Sequence, residues 1–140
     1  MKSELYLIDK SAAARILRPK VREPWLERLR AGRISVCEPT EFEMLYSART
    51  SDHYKEMKSQ LRSLYGWQPV PEDGWLKALD VQEVLVERGW HRSASAADIL
   101  VAITAREHRL TVLHYDRDFD TLSGVIDVRT QWLAEPGTID

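Results

Sequence analysis

The chain has 140 residues, 44% of them hydrophobic and 30% charged, with a formal net charge of −2. That is the size of one globular domain with a core of its own. Its single cysteine, Cys37, excludes an intramolecular disulfide and a cysteine-based zinc site, and fits a reducing cytosol.

In chain order, "ELYLID" (Glu4–Asp9) reads as a short buried strand, and "KSAAARILR" as a helix stopped by Pro19. "PWLERLRAG" (Pro24–Gly32) has Pro in its first turn and Gly at its end, which predicts a second helix. "RISVCE" is the second strand. A helical pattern runs from Thr40 through Ala48, and another from Ser51 to Leu64. "YGWQPVPEDG" (Tyr65–Gly74) reads as a loop. "WLKALDVQEVLVERG" is a helix ending at Gly89, and "SAADILVAITAREH" (Ser95–His108) is a strong one. "LTVLHYD" (Leu110–Asp116) is the third strand and "GVIDVR" (Gly124–Arg129) the fourth. Residues 1–134 are expected to form the domain, with 135–140 a short frayed tail. No apolar run approaches the ~18 residues needed to cross a bilayer. The start, "MKSELYLIDKS", is too acidic for a signal peptide, so a cytoplasmic protein is expected.

Strands alternating with helices predict an α/β fold, with a small, mostly parallel sheet and helices on both faces. Sites in such folds lie outside the carboxyl ends of the strands. Acids gather at that edge: Asp9 after the first strand, Glu38, Glu41 and Glu43 after the second, and Asp116, Asp118 and Asp120 after the third. Asp98 falls in the first turn of the helix from Ser95.

Each acid has a structural explanation. "TEFE" (Thr40–Glu43) and "SAAD" (Ser95–Asp98) both match a capping box, and Asp9 can cap the helix behind it. Their joint placement argues for more. Carboxylates brought within a few ångströms repel one another, and a divalent cation relieves the repulsion. Hard oxygen donors without histidine suit Mg²⁺ or Mn²⁺, and such a site points to phosphoryl chemistry. The four histidines show no ligand spacing, and His114 reads as a structural strand residue. "DRDFD" imitates an EF-hand loop at positions 1, 3 and 5, but Thr121 stands where that loop needs glycine. A D-x-D after a strand also suggests haloacid-dehalogenase phosphatases, but here it comes too late in the chain.

The pieces "YLIDKSA", "TEFEMLYSA" and "ASAADILVAITAREHRLTVLHYDRDFD", in that order, resemble a PIN domain of the VapC type, the toxin of a type II toxin–antitoxin pair. The resemblance implies an α/β/α sandwich with four to five central strands and a Mg²⁺- or Mn²⁺-dependent endoribonuclease activity. It also implies a homodimer, and a VapB-type antitoxin that fills the acidic groove in a heterotetramer or larger complex. Carried onto this sequence, Asp9, Glu43, Asp98 and Asp116 form the acidic quartet, with Asp9, Asp98 and Asp116 holding the metal. Ser11 and Asp118 support them. Lys10 departs from the threonine common in the family at that place. The alternative is a PIN-type nuclease of RNA processing or DNA structures that has no antitoxin.

Charge is unevenly spread: residues 1–33 carry nine Lys/Arg against four Asp/Glu, the remainder eleven against eighteen. Arg15, Arg18 and Arg22 in the basic part are candidates to track an RNA backbone, with solvated helix faces the competing explanation. The five tryptophans, Trp25, Trp67, Trp75, Trp90 and Trp132, read first as core or interface residues and second as base-stacking ones. In the glutamate stretch, Glu41 and Glu43 lie ~200° apart on a helix. They cannot serve one site together. The wheel leaves open which of the two faces the site; the resemblance points to Glu43, also the capping-box residue, and Glu38 and Glu41 are expected at the surface or rim.

Overall fold

The structure, a computed structural model, describes residues 4–140; residues 1–3 of the expected domain lie outside the described residues. Five strands form one sheet, β1 (Tyr6–Ile8), β2 (Ile34–Val36), β3 (Gly66–Trp67), β4 (Thr111–His114) and β5 (Thr130–Trp132), in the order β3-β2-β1-β4-β5. Every pairing is parallel, with Leu7 level with Ser35 on one side and Val112 on the other. Helices α1 (Lys10–Ala13), α2 (Glu23–Arg30), α3 (Glu38–Leu45), α4 (Ser51–Leu64), α5 (Gly74–Glu87), α6 (Ala96–Glu107) and α7 (Asp118–Ser123) connect them.

Both faces of the sheet are covered, as a parallel sheet requires. Leu7 and Val112 point into a core with α5, α6 and α7; their strand neighbours Tyr6, Ile8 and Leu113 point into a second core with α1, α2 and α4. Helix α6 is buried without interruption from Ile99 to Ala105 and fills the middle of the first core. Chain direction across the sheet reverses between β1 and β4, and at that point the strands' carboxyl ends open a crevice. Among the described residues no helix is long and apolar enough to cross a membrane.

Several expected elements shift, each for a physical reason. The helix expected from Thr40 begins at Glu38, capped by Cys37, because Pro39 suits a first turn. Thr40 is then inside the helix, and its hydroxyl donates to the Ile8 carbonyl oxygen at 3.3 Å, so the Thr40–Glu43 capping box does not form. Burial pushes the Cys37 thiol up to about 12, which leaves it an inert core group. The α-helix expected up to Pro19 keeps only Lys10–Ala13 and continues as turns. Gly124–Arg129 is not a strand: Phe119, Leu122 and Ile126 are buried at helical spacing, so α7 forms and the strand falls later, at Thr130–Trp132. The expected loop Tyr65–Gly74 contains the two-residue edge strand β3, where a Cβ on Gly66 would meet Ser35 Oγ at 2.7 Å. The last residues fold back instead of fraying. Ile139 packs against the second core, its N–H donates to the Tyr115 hydroxyl, and Arg15 and Arg18 both donate to the Asp140 carbonyl oxygen.

Glu41, expected at the surface, is buried and accepts two bonds from Arg62 of α4, at 2.9 and 3.1 Å. The Arg62 guanidinium also lies over the Trp67 ring. This fork locks α3 against α4 and turns Glu43 toward the crevice. Loss of Arg62 alone strands a buried carboxylate. Arg62→Met is therefore expected to lower the melting temperature by several degrees at neutral pH, and the double replacement Glu41→Met/Arg62→Met to recover most of the loss, both read from circular-dichroism melts.

Candidate metal centre at the β1–β4 crevice

Asp9 is the first residue after β1 and the N-cap of α1. Its Oδ2 accepts from the Ser11 N–H at 3.0 Å and the Ser11 hydroxyl at 2.7 Å. Its Oδ1 is buried and meets no hydrogen-bond partner among the described residues. The Ser11 hydroxyl in turn accepts from the Tyr115 N–H at 2.8 Å, so one side chain ties the end of β1 to the end of β4.

Just past β4, the Asp116 N–H donates to His114 Nδ1 and Asp116 Oδ1 accepts from the Asp118 N–H at 2.9 Å. These two bonds curl the chain so that Asp116 and Asp118 face the start of α6. There the capping box expected at Ser95–Asp98 does form: the Ser95 hydroxyl accepts from the Asp98 N–H at 3.1 Å, and Asp98 Oδ2 accepts from the Ser95 N–H at 3.2 Å. The box fixes Asp98 where it meets the β4 acids.

A crevice of about 330 Å³ is lined by Asp9, Lys10, Ser11, Ala14, Arg15, Glu43, Ser95, Asp98 and Asp116. The four acids of the expected quartet thus share one crevice. The trio whose ligand oxygens all lie within 4.8 Å of one another is Asp98, Asp116 and Asp118. Asp118 therefore stands closer to the other two than a supporting position implies, and Asp9 approaches from the β1 side. Arg15 reaches the crevice while its guanidinium stacks on Tyr115; Arg18 is engaged by the Asp140 carbonyl oxygen, and Arg22 is exposed before α2.

The electrostatics are those of crowded acids. Burial raises the Asp9 carboxyl to about 6, with Asp98 and Glu43 adding to the rise against the opposing Ser11 bonds. Glu43, Asp98 and Asp118 are raised too, burial first in each; Lys10 opposes the rise at Glu43, Ser95 at Asp98, and neighbouring acids add to it at all three. A buried, unpartnered oxygen beside three convergent carboxylates fits a divalent cation with hard oxygen preference. Two crevice residues were not singled out for it from the sequence: Ser95, read only as a cap, and Lys10, whose signal was its place beside Asp9. His114 is a third omission. It is fully buried, its ring is lowered to about 4 by burial, and the donating Asp116 N–H makes Nδ1 an acceptor, which leaves the proton on Nε2.

A carboxyl that binds its proton more tightly folded than unfolded stabilises the fold at low pH. That contribution is fully present below the ordinary carboxylate value of 3.8 and is lost as pH rises through about 6. In chelated, metal-free protein, Asp9→Asn is therefore expected to raise stability by about 3 kcal/mol at pH 8 and to change it little below about pH 4. Denaturant titrations at the two pH values check this.

A family model described as the PIN domain matches residues 6–125. Ribonuclease VapC21 of Mycobacterium tuberculosis is 35% identical over 136 residues, which cover 95% of this chain and 96% of the relative. Ribonuclease VapC51 of the same species is 34% identical over 135 residues, covering 96% and 97%. Among solved structures, DNA-bound VapBC from Salmonella typhimurium superposes with a TM-score of 0.73 at 15% identity, over 94% of this chain and all 100% of that one. VapBC-5 from M. tuberculosis, described as a member of the VapBC family of toxin–antitoxin systems, gives 0.63 at 21% identity over 91% and 98%. The crevice geometry and the sequence matches agree: this chain belongs to the PIN-domain family, in its VapC branch.

Proposed function

We propose that this chain is the toxin of a type II toxin–antitoxin system, a metal-dependent endoribonuclease that hydrolyses RNA phosphodiester bonds. The observation that carries the reading is the buried, unpartnered Asp9 Oδ1 in a crevice shared with Glu43, Asp98 and Asp116. The relatives' ribonuclease names supply the substrate class.

Asp9, Asp98 and Asp116 hold the cation, with Asp118 beside them, and Mg²⁺ or Mn²⁺ suits their oxygens. When bound, the cation supplies Lewis-acid activation of water and neutralises charge building up on the phosphate. Ser11 holds Asp9 through Oδ2 and leaves Oδ1 unpartnered, and the Ser95 box engages Asp98 through Oδ2 alone. Glu43 faces the crevice from α3 and serves either to hold a second cation or to direct water. Lys10 and Arg15 set positive charge at the mouth of an acidic crevice, where a polyanion must approach. With Arg18 and Arg22 they track the RNA backbone and make binding salt-dependent.

Next to the crevice, and sharing Glu43 with it, lies an apolar groove of about 530 Å³ lined by Pro39, Phe42, Val70, Trp75, Ala97 and Leu100 together with acids at its edge. Phe42 is 76% exposed and Trp75 62%. An apolar surface this continuous marks a protein contact, and supports a VapB-type antitoxin and a homodimer as partners. An RNA substrate and an antitoxin partner support a cytoplasmic location.

Brief expression followed by mapping of RNA 5′ ends tests the reading. The wild-type chain is expected to give discrete new ends and Asp98→Asn none; identical ends from both would sink the proposal. In vitro, chelation is expected to stop cleavage, and Mg²⁺ or Mn²⁺ to restore it. Glu43→Gln is expected to slow cleavage with an unchanged melting temperature, since Glu43 carries no cap.

A further inference from the structure

On the α7 side of the acidic crevice lies a smaller cleft of about 250 Å³, lined by Arg88, Trp90, Ser93, Asp120, Thr121 and Gly124. None of these residues belongs to the metal centre, yet the chain joins the two sites twice. Ser93 lines the cleft and Ser95 the crevice; Asp120 lines the cleft and Asp118 stands with the metal acids. Two residues of chain span at most about 7 Å between backbones, so the two sites are neighbours, although Asp118 and Asp120 themselves lie ~200° apart on α7.

One wall of the cleft carries Trp90, whose main chain is held firmly. Helix α5 ends in a Schellman motif: the Trp90 N–H donates to the Leu85 carbonyl oxygen at 2.7 Å, and the N–H of Gly89, at φ +74°, donates to Val86 at 3.0 Å. The Trp90 carbonyl oxygen then accepts from both the N–H and the hydroxyl of Ser93. In such motifs the residue in the Trp90 position usually packs its apolar side chain back on the helix. Here 43% of Trp90 stays exposed. The Arg88 guanidinium lies over the ring at 5.3 Å and donates to the Gly124 carbonyl oxygen, tying the loop to the end of α7. A rigid aromatic plate backed by a cation, with two hydroxyls and a carboxylate around it, has the chemistry of a nucleobase site; a phosphate site would not carry Asp120. Exposed His91 and Arg92, next along the loop, offer charge to the adjoining backbone.

We propose that Trp90 stacks one unpaired base of the RNA substrate close to the scissile phosphate, and that the Thr121 hydroxyl and the Asp120 oxygen not engaged by the Trp132 indole read its polar edge. This rests on the ribonuclease reading above. It makes the Arg88–Ser93 loop a determinant of where the RNA is cut, and requires the target to be single-stranded there.

The test uses the full chain and a single-stranded RNA oligonucleotide containing a mapped cleavage site, beside a set of oligonucleotides each abasic at one position. For the wild type, one abasic position flanking the cut is expected to raise KM about tenfold or more. Trp90→Ala is expected to raise KM on the intact oligonucleotide by the same factor, with a far smaller change in kcat, and to lose no more at that abasic position. Trp90→Phe is expected to restore most of the affinity. Losses that multiply at every abasic position, or a Trp90→Ala chain that melts normally and matches the wild type, overturn the proposal and leave the ribonuclease reading standing. A changed sedimentation mass with an unchanged KM assigns Trp90 to a contact between protein chains and also overturns it. Absence of metal-dependent cleavage by the wild type removes the reading on which it rests.

Discussion

The Asp9 carboxylate ends the central strand of the sheet almost out of reach of solvent, and only one of its oxygens is hydrogen-bonded. Burying a carboxylate in that state is unfavourable by several kcal/mol unless its charge is met. The rest of the crevice follows from how that oxygen is held. Ser11 satisfies Oδ2 twice, while Oδ1 stays buried and without a partner in a residue that lines the crevice. The same hydroxyl accepts from Tyr115, which adds a side-chain tie to the backbone bond from the Asp9 N–H to the Leu113 carbonyl oxygen and so helps set the spacing between Asp9 and Asp116. Removal of Ser11 would loosen both partners at once.

The other acids reach the crevice by local hydrogen bonds that serve two purposes. Asp98 is simultaneously the third helical residue of a capping box and a member of the acidic trio. Its box leaves Oδ1 clear while satisfying Oδ2. Asp116 accepts the Asp118 N–H through one oxygen and keeps the other for the crevice. In each case one carboxylate oxygen is spoken for by backbone and one is not. Capping therefore leaves one oxygen of each acid uncommitted, and would not compete with the metal ligation proposed above. The cap holds the Asp98 carboxylate rigid, as a small hard cation would require, since it tolerates little deviation from octahedral geometry.

This division explains which parts of the site are legible in the sequence. Ser95-x-x-Asp98 is legible because every bond in a capping box closes within four residues. Gly89 is legible as a helix stop for the same reason: its positive φ is a property of one residue. The D-x-D after β4 works locally too, through the bond from Asp118 to Asp116. Thr40-x-x-Glu43 has the same spacing as the Ser95 box and misleads, because a distant group competes for the hydroxyl. Ile8 O lies 32 residues back in the chain, and only the assembled sheet brings it to Thr40.

The two hidden contributions are both tertiary. Glu41 finds Arg62 across 21 residues, and neither position looks special in a helical pattern. Yet this pairing decides which of the two glutamates faces the crevice, a question that helical geometry leaves open. His114 is subtler. Alternation along β4 correctly places it in the core, where burial keeps it neutral. Neutrality is the condition for its service to Asp116: a protonated ring has no lone pair at Nδ1 to accept the Asp116 N–H. A residue that sequence patterning assigns to packing thus sets the first turn of the acidic loop, and it does so because the core excludes water.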